Sequence, residues 1–300
     1  MLMTTAAHTP RVGVLGLGAM GLPMAGHLLA AHGTLQLTGR RPDRASALIE
    51  AGATWHESPR ELAAASDAIL VMLPDLPELE AVLAGDDGLL AGAGELLIMV
   101  GSTVSPTGLR ELAERLASES EGRVRVIDSP VSGGEDGAKA GTLSIMLGGG
   151  DDEVATATSI LNACGRPVHL GPLGAGEVAK ACNQMIVSST ILALGEASVL
   201  AERSGIDLAV LWDLLGGGYA GSKLLESRRE KLVTGDDSPS GVAKYMVKDL
   251  TFAADVADAT GTHPVLLPTL RAAFDELVDA GLGERDIAVT RRFVAERSEN

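Results

Sequence analysis

The spacing of hydrophobic residues changes once along this chain, and this change constrains the fold more than any other feature. Short apolar runs alternate with helical segments through about the first 170 residues. We predict these runs to be strands; they are RVGVLG (11–16), LQLTG (35–39), DAILVMLP (67–74), ELLIMV (95–100), RVRVID (123–128) and TLSIMLGG (142–149). Strands alternating with helices of this length predict a parallel, doubly wound α/β sheet of the Rossmann type.

The pattern changes near Gly174, where the predicted strands stop and helical spacing continues to the C-terminus. We therefore predict a disordered tail over 1–10, a Rossmann domain over 11–174 and an all-helical domain over 175–300. The helical domain opens with a long apolar helix that includes 177–203. Serines, a threonine and a glutamate interrupt its most apolar part, so we interpret it as a buried core helix rather than a membrane span.

Composition narrows the classes of partner. The formal net charge of −16 disfavours nucleic acid and anionic membrane surfaces as partners. The two cysteines, Cys164 and Cys182, form no CxxC pair, and the six histidines show no metal-ligand spacing. The segment MLMTTAAHTP lacks the features of a signal peptide. We expect a cytoplasmic protein without a metal.

A GxGxxG motif follows the first predicted strand directly and opens a helix. Its residues are Gly16, Leu17, Gly18, Ala19, Met20 and Gly21. In this context the first glycine permits a tight turn, the second lets a pyrophosphate approach the backbone, and the third allows close packing of helix and strand. Free N–H groups at the helix N-terminus favour phosphate. The motif predicts a dinucleotide site.

The end of the second strand suggests which dinucleotide binds. NAD sites usually carry an acidic residue there, about 20 residues after the glycines, for the ribose 2′-hydroxyl. This chain has Arg40 and Arg41 instead. A guanidinium matches a phosphate with paired hydrogen bonds. We therefore expect NADP(H), with Arg40 as the main ligand of the 2′-phosphate and NAD(H) as the other possibility; a solvated basic turn is the alternative.

Three polar side chains share one face near the start of the long helix. Asn183 and Gln184 follow Lys180 by three and four positions, which places all three on the same side of a helix. A lysine in an apolar cleft has its charged form disfavoured, so its pKa would fall toward neutrality. Such a lysine suits proton transfer near pH 7. A lysine that reaches solvent is the alternative reading.

The chain resembles the β-hydroxyacid dehydrogenase family over residues 11 to about 292. The resemblance rests on four motifs in order: GLGAMG, DSPVSGGEDGAKAGTLSIMLGG (128–149), GPLGAGEVAKACNQ (171–184) and VKDLTFAADVA (247–257). It implies an oxidoreductase that moves hydride between a nicotinamide dinucleotide and a small 3-hydroxy acid or its semialdehyde. It also implies a homodimer or homotetramer.

The resemblance implies a role for each matching residue. Lys180 corresponds to the family's acid/base, and Asn183 to an amide that holds the substrate. The remaining matches are Ser132, Gly133 and Gly134 at the substrate carboxylate, and Leu73, Pro74, Thr103 and Lys248 at the cofactor. Small residues in the first of these groups would let backbone N–H groups close on the carboxylate.

Two other functions remain open from the sequence. Imine reductases are similar in fold and first motif, but they generally carry Asp or Tyr where this chain has Lys180. A non-catalytic dinucleotide sensor would not need Lys180, Asn183 or the SGG segment. The chain departs from the family pattern at Gly39, Val100, Lys223 and Val242, near positions that vary with substrate, so the sequence does not identify the substrate.

Overall fold

A computed structural model describes residues 10–299 of the chain. Contacts between residues divide the chain into two compact units, Met1–Lys180 and Ala181–Asn300. The predicted tail over 1–10 lies, except for Pro10, outside the described residues. We call the two parts the first unit and the second unit.

The first unit contains a sheet that includes every predicted strand. Its strands are β1 (Val12–Leu15), β2 (Gln36–Thr38), β3 (Thr54–Trp55), β4 (Ala68–Val71), β5 (Leu96–Val100), β6 (Val124–Asp128), β7 (Val131–Ser132), β8 (Leu143–Gly148) and β9 (Gly165–Gly171). The strand order is β3-β2-β1-β4-β5-β6-β8-β7, and β9 pairs with β8. Strands β3, β7 and β9 were not predicted.

The parallel sheet is confirmed for β1 to β6, whose neighbouring strands all run in the same direction. The sheet becomes mixed beyond β6, because β8 pairs antiparallel with both β6 and β7. Only ten residues connect the end of β7 at Ser132 to the start of β8 at Leu143. A short connection of this kind favours an antiparallel pair, since parallel neighbours usually need a longer crossover.

Helices surround this sheet. They are α1 (Gly21–His32), α2 (Ser46–Glu50), α3 (Pro59–Ala64), α4 (Leu76–Leu83), α5 (Leu89–Gly92), α6 (Pro106–Glu119), α7 (Gly134–Ala140) and α8 (Asp151–Leu161), with a 3₁₀ turn over Pro42–Ala45. Ser105 caps the N-terminus of α6, because its side chain accepts a hydrogen bond from the Gly108 N–H.

The central strands are apolar throughout because both faces of the sheet are covered. In β4, Ala68 and Leu70 join one hydrophobic cluster, whereas Ile69 and Val71 join another. Alternate residues of a strand point to opposite faces, so the two clusters lie on the two sides of the sheet. This explains why DAILVMLP shows no polar alternation.

The second unit is helical. A long helix, α9 (Ala175–Arg203), contributes residues to both units, and the second unit continues with α10 (Leu208–Gly216), α11 (Lys223–Thr234), α12 (Tyr245–Thr260), α13 (Leu267–Asp279), a 3₁₀ turn (Ile287–Val289) and α14 (Thr290–Arg297). Among the described residues, α9 is the one helix long and apolar enough to cross a membrane, and half of its most apolar window is buried within the protein. A core helix passes the same test.

A buried charge joins parts of the second unit that are distant in sequence. The Asp286 carboxylate accepts hydrogen bonds from the Gly241 N–H at 2.8 Å and from the Ser240 hydroxyl at 2.6 Å. It also accepts from the Ala288 N–H at 3.0 Å and lies 3.2 Å from Arg228 Nε. The segment before α12 is thereby held against the turn that precedes α14.

Candidate active site

The glycine motif forms the turn between β1 and α1, and its three glycines have different physical reasons to be glycine. Gly16 has φ +102°, in the region that favours glycine. A Cβ on Gly21 would lie 1.9 Å from the Gly16 carbonyl oxygen, so this close packing excludes any side chain. A Cβ on Gly18 would have no heavy atom within 4 Å. The fold therefore requires Gly16 and Gly21, but it does not require Gly18.

The N-terminus of α1 fits a phosphate group. The residue at the N-cap is Met20, and no side chain caps the helix. Ala19 and Gly18 are exposed and Leu17 is buried, so the middle of the turn presents backbone and small side chains. Unsatisfied N–H groups at a helix start attract anions, and open space beside Gly18 admits one. These residues can hold the pyrophosphate of a dinucleotide.

Two loops at the carboxyl ends of β4 and β5 are tied together. The Leu73 N–H donates a hydrogen bond to the Ser102 hydroxyl at 2.9 Å, and Ser102 is buried. Pro74 follows Leu73, and Thr103 follows Ser102, so the predicted cofactor loops lie side by side. Ligands of parallel α/β sheets bind at this edge. Sequence reasoning missed Ser102, whose role becomes visible only when the two loops are adjacent.

The arginines after β2 are exposed, as a ligand for a 2′-phosphate would be. Arg41 forms an ion pair with Asp43, at 2.8 Å between Nη2 and Oδ2, and the arginine lowers the pKa of that carboxyl. Arg40 has no ion pair or hydrogen bond within residues 10–299. The two predicted ligands are thus not equivalent, because Arg41 already has a carboxylate partner.

The start of α9 is anchored to the end of β6 by a buried carboxylate. The Asp128 oxygens accept from the Gly174 N–H and the Glu177 N–H, each at 2.8 Å. Desolvation in this position raises the pKa of Asp128, although the backbone hydrogen bonds act in the opposite direction. Glu177 is also buried, and its carboxylate accepts from the Val104 N–H at 3.2 Å. These contacts fix the helix that carries Lys180.

Lys180 lies against the segment that was predicted to bind the substrate carboxylate. Its Nζ donates a hydrogen bond to the Val131 carbonyl oxygen at 2.8 Å, and the side chain is buried. The next residue, Ser132, ends β7, and Gly133 and Gly134 follow with φ of +131° and +62°. The first unit therefore brings the predicted acid/base and the predicted SGG segment together.

The second unit places the other predicted residues in a hydrogen-bonded chain. Asn183 Nδ2 donates to Gln184 Oε1 at 2.9 Å, and Gln184 Nε2 donates to Asp249 Oδ2 at 2.6 Å. Lys248 Nζ lies 3.4 Å from Asp249 Oδ1 and 4.9 Å from the centre of the Phe252 ring. Asn183 and Lys248 are thus linked through Gln184 and Asp249.

Sequence reasoning named Lys180 and Asn183 as candidate reactive side chains but did not name the buried acids near them in the structure. Asp128, Glu177 and Asp249 are buried acids that follow a strand or sit within the quoted motifs. A carboxylate in an apolar environment is costly unless it is hydrogen-bonded, so buried acids mark structural or functional positions. For Asp128 the available signal was an acid at the end of a strand whose preceding two residues, Val126 and Ile127, are apolar.

Comparison with known protein families matches nearly the whole chain. Residues 11–174 match the profile described as the NAD-binding domain of 6-phosphogluconate dehydrogenase. Residues 174–293 match the profile described as NAD-binding of NADP-dependent 3-hydroxyisobutyrate dehydrogenase. The two profiles meet at Gly174, immediately before α9.

Individual relatives agree with these profiles. The chain is 32% identical to an NAD-dependent L-serine dehydrogenase of Pseudomonas aeruginosa, over 94% of this chain and 97% of that protein. It is 34% identical to a 2-hydroxy-3-oxopropionate reductase of Escherichia coli, over 92% and 94% of the two chains. The crystal structure of a 3-hydroxyisobutyrate dehydrogenase from Salmonella typhimurium superposes with a TM-score of 0.85 at 29% identity, covering 94% of this chain and 99% of that one.

Proposed function

Because the chain belongs to the β-hydroxyacid dehydrogenase family, we propose that it interconverts a small 3-hydroxy acid and its semialdehyde, with NADP(H) and with Lys180 as the acid/base. The relatives act as NAD(P)-dependent oxidoreductases of hydroxy acids, which supports the general activity. The observation that carries the proposal is the 2.8 Å hydrogen bond from Lys180 Nζ to the Val131 carbonyl, because it puts an ammonium next to the SGG segment.

Lys180 has a position suited to moving a proton. One of its three N–H bonds is directed to the Val131 oxygen, which holds the ammonium in one orientation. In the reducing direction the ammonium gives a proton to the carbonyl oxygen of the semialdehyde. Hydride for the carbonyl carbon comes from the bound nicotinamide cofactor. In the oxidising direction the neutral amine takes the proton of the substrate hydroxyl.

Substrate binding involves the SGG segment and Asn183 in this proposal. Gly133 and Gly134 leave room for a carboxylate to approach the backbone, and the Ser132 hydroxyl adds a donor. Asn183 stands three positions after Lys180 in α9 and therefore on the same helix face. In this proposal the segment binds the substrate carboxylate and the Asn183 amide holds the substrate hydroxyl.

The proposal is tested by turnover of the purified protein with NADPH and NADH. The panel contains tartronate, succinate and methylmalonate semialdehydes and glyoxylate, with L-serine for the oxidising direction. We expect turnover with at least one compound and a loss of at least about 100-fold in kcat for Lys180→Ala, as for removal of a general acid or base. Lys180→Ala that retained wild-type kcat would refute the role of Lys180, and absence of turnover together with tight NADPH binding would favour an imine substrate or a sensor.

The preference for NADP(H) depends on Arg40 in this proposal, since Arg41 is paired with Asp43. We expect Arg40→Ala to raise the KM for NADPH about tenfold or more and to leave the KM for NADH nearly unchanged, because only NADPH carries the 2′-phosphate. Arg41→Ala is the matched control and should have a smaller effect. An unchanged ratio of the two KM values in Arg40→Ala would refute the assignment.

We also propose that the protein is cytoplasmic and that the second unit associates with another copy of itself. Val210 and Leu214 lie one turn apart on α10 and are 65% and 74% exposed. Large exposed aliphatic side chains at this spacing are typical of surfaces that bind another protein. Light scattering at micromolar concentration should give a dimer or tetramer, and a monomer would contradict the proposal.

A further inference from the structure

A buried carboxylate ends the hydrogen-bonded chain that begins at Asn183. Gln184 and Asp249 are 6% and 5% exposed, so both depend on protein partners rather than on water. The two donor–acceptor distances along the chain are 2.9 Å from Asn183 to Gln184 and 2.6 Å from Gln184 to Asp249. All three residues belong to the second unit.

The carboxylate determines the direction of every hydrogen bond in this chain. An ionised carboxylate only accepts, so the end of the Gln184 amide that faces Asp249 must be the NH₂ group. The carbonyl oxygen of Gln184 then faces the other way and must accept. Its partner, the Asn183 amide, must therefore present its NH₂ group to Gln184 and turn its carbonyl oxygen to the opposite side.

We infer that Asp249 is a positioning residue that fixes, through Gln184, which edge of the Asn183 amide faces the substrate. The inference rests on the proposed role of Asn183 in holding the hydroxy acid. An amide that can flip presents a donor where an acceptor is needed in part of the molecules. Asp249 removes this ambiguity without touching the substrate itself.

The Asp249 carboxylate also contacts a second side chain, because Lys248 Nζ lies 3.4 Å from its Oδ1 oxygen. A change at Asp249 therefore affects both the amide chain and Lys248. A change at Gln184 leaves Lys248 its contact with Asp249; it affects the amide chain and the 3.8 Å contact between Gln184 Nε2 and Met246 Sδ. Substitutions at the two positions separate substrate binding from cofactor binding.

The experiment moves the negative charge from position 249 to position 184. Asp249→Asn removes the group that sets the direction, and Gln184→Glu places a second carboxylate beside Asp249. In the double variant Asp249→Asn/Gln184→Glu, the introduced amide donates to the introduced carboxylate, which also accepts from Asn183. Asn183 again donates to position 184, although donor and acceptor are exchanged between positions 184 and 249 and the charge has moved. Gln184→Met removes both hydrogen bonds without adding a charge, and it serves if repulsion prevents Gln184→Glu from folding.

Steady-state kinetics with tartronate semialdehyde and NADPH measures the outcome. We expect Asp249→Asn and Gln184→Met each to raise the KM for the semialdehyde about three- to tenfold, the effect of one misdirected or missing hydrogen bond. Gln184→Glu alone still accepts from Asn183 and should leave this KM near the wild-type value. The double variant should return this KM to within about twofold of wild type. The KM for NADPH in the double variant should stay at the value set by Asp249→Asn. A purely structural role would lower the active fraction, and hence kcat, without changing KM.

Three results would overturn the inference, and the second of them leaves the proposed function intact. A double variant with a KM as high as that of Asp249→Asn would show that direction is irrelevant. Asp249→Asn and Gln184→Met variants with the wild-type KM, when Asn183→Ala raises it, would overturn the inference and leave the proposed function intact. A wild-type KM in Asn183→Ala would remove the substrate role of Asn183 and the inference with it.

Discussion

In the proposed function, Gly18 is the residue of the glycine motif that cofactor binding requires and folding does not. A methyl group at this position meets no atom within 4 Å in the protein alone, whereas one at Gly21 meets the Gly16 oxygen at 1.9 Å. We expect Gly18→Ala to change the free energy of unfolding of the cofactor-free protein by no more than about 0.5 kcal/mol. Gly21→Ala should cost about 1–3 kcal/mol or more, because the backbone must move apart.

Binding of the cofactor should reveal a cost of Gly18→Ala that the cofactor-free protein does not show. At an NADPH concentration 100 times the dissociation constant, binding stabilises the wild type by about 2.7 kcal/mol. The added methyl group of Gly18→Ala occupies the space through which a pyrophosphate approaches. A tenfold loss of affinity would reduce the stabilisation to about 1.4 kcal/mol, and a hundredfold loss to about 0.4 kcal/mol. Each kcal/mol corresponds to about 2–4 °C in Tm for a domain of this size.

Differential scanning calorimetry with and without NADPH measures both quantities. Gly26→Ala is the control within α1, because its methyl group would meet only Leu48, at 3.9 Å, and should leave the NADPH effect unchanged. The reasoning is refuted if Gly18→Ala lowers the Tm of the cofactor-free protein as far as Gly21→Ala does. It is equally refuted if Gly18→Ala keeps the full stabilisation by NADPH.

Three further predictions concern buried ionisable groups. Burial raises the pKa of Asp128 above its ordinary value of 3.8, so the folded chain binds more protons at this group than the unfolded chain. The stability that this group contributes is therefore present below about pH 3.8 and is lost as the pH rises through the pKa of the folded state. Urea unfolding between about pH 3 and pH 8 should therefore show a more negative slope of stability against pH for wild type than for Asp128→Asn, and equal slopes would contradict this. Burial raises the pKa of the Cys164 thiol to about 12, whereas Cys182 is exposed. Because the thiolate is the reactive form, a thiol reagent at about pH 8 should label only Cys182 of these two in the folded chain and both cysteines in denaturant. Asp286→Ala should lower the free energy of unfolding, measured by urea denaturation, by about 3–5 kcal/mol, because it breaks a buried ion pair with Arg228. A loss of less than about 1 kcal/mol would show that the ion pair contributes little.

The sequence predicted the elements whose length and burial leave a periodic signal. The strand at 67–74 was recognisable because both its faces are covered, which requires an unbroken apolar run. By contrast, β3 and β7 have two residues each, too few for any period. The edge strand β9 contains a proline and a histidine and is largely exposed, so it lacks the apolar pattern of a central strand.

In the candidate site, too, some features leave a signal in the sequence and others do not. Lys180 and the glycine motif could be proposed from the sequence because the chemistry assigned to them demands particular residue types at fixed spacing. The partner of Lys180 is a backbone carbonyl 49 positions away, and any residue type could supply it. Asp249 acts on Asn183 through Gln184, across 65 positions between Gln184 and Asp249. Such contacts depend on long-range packing, which local spacing does not encode.

The scarcity of aromatic residues has an optical consequence. The chain contains two tryptophans, Trp55 in β3 of the first unit and Trp212 in α10 of the second. Both indole N–H groups are buried and have no hydrogen-bond partner within residues 10–299, so unfolding brings each into contact with water for the first time. Trp55→Phe and Trp212→Phe each leave one emission signal that belongs to a single unit. Residues of α9 belong to both units. The two emission signals therefore show whether the unit containing Trp55 and the unit containing Trp212 unfold together or separately.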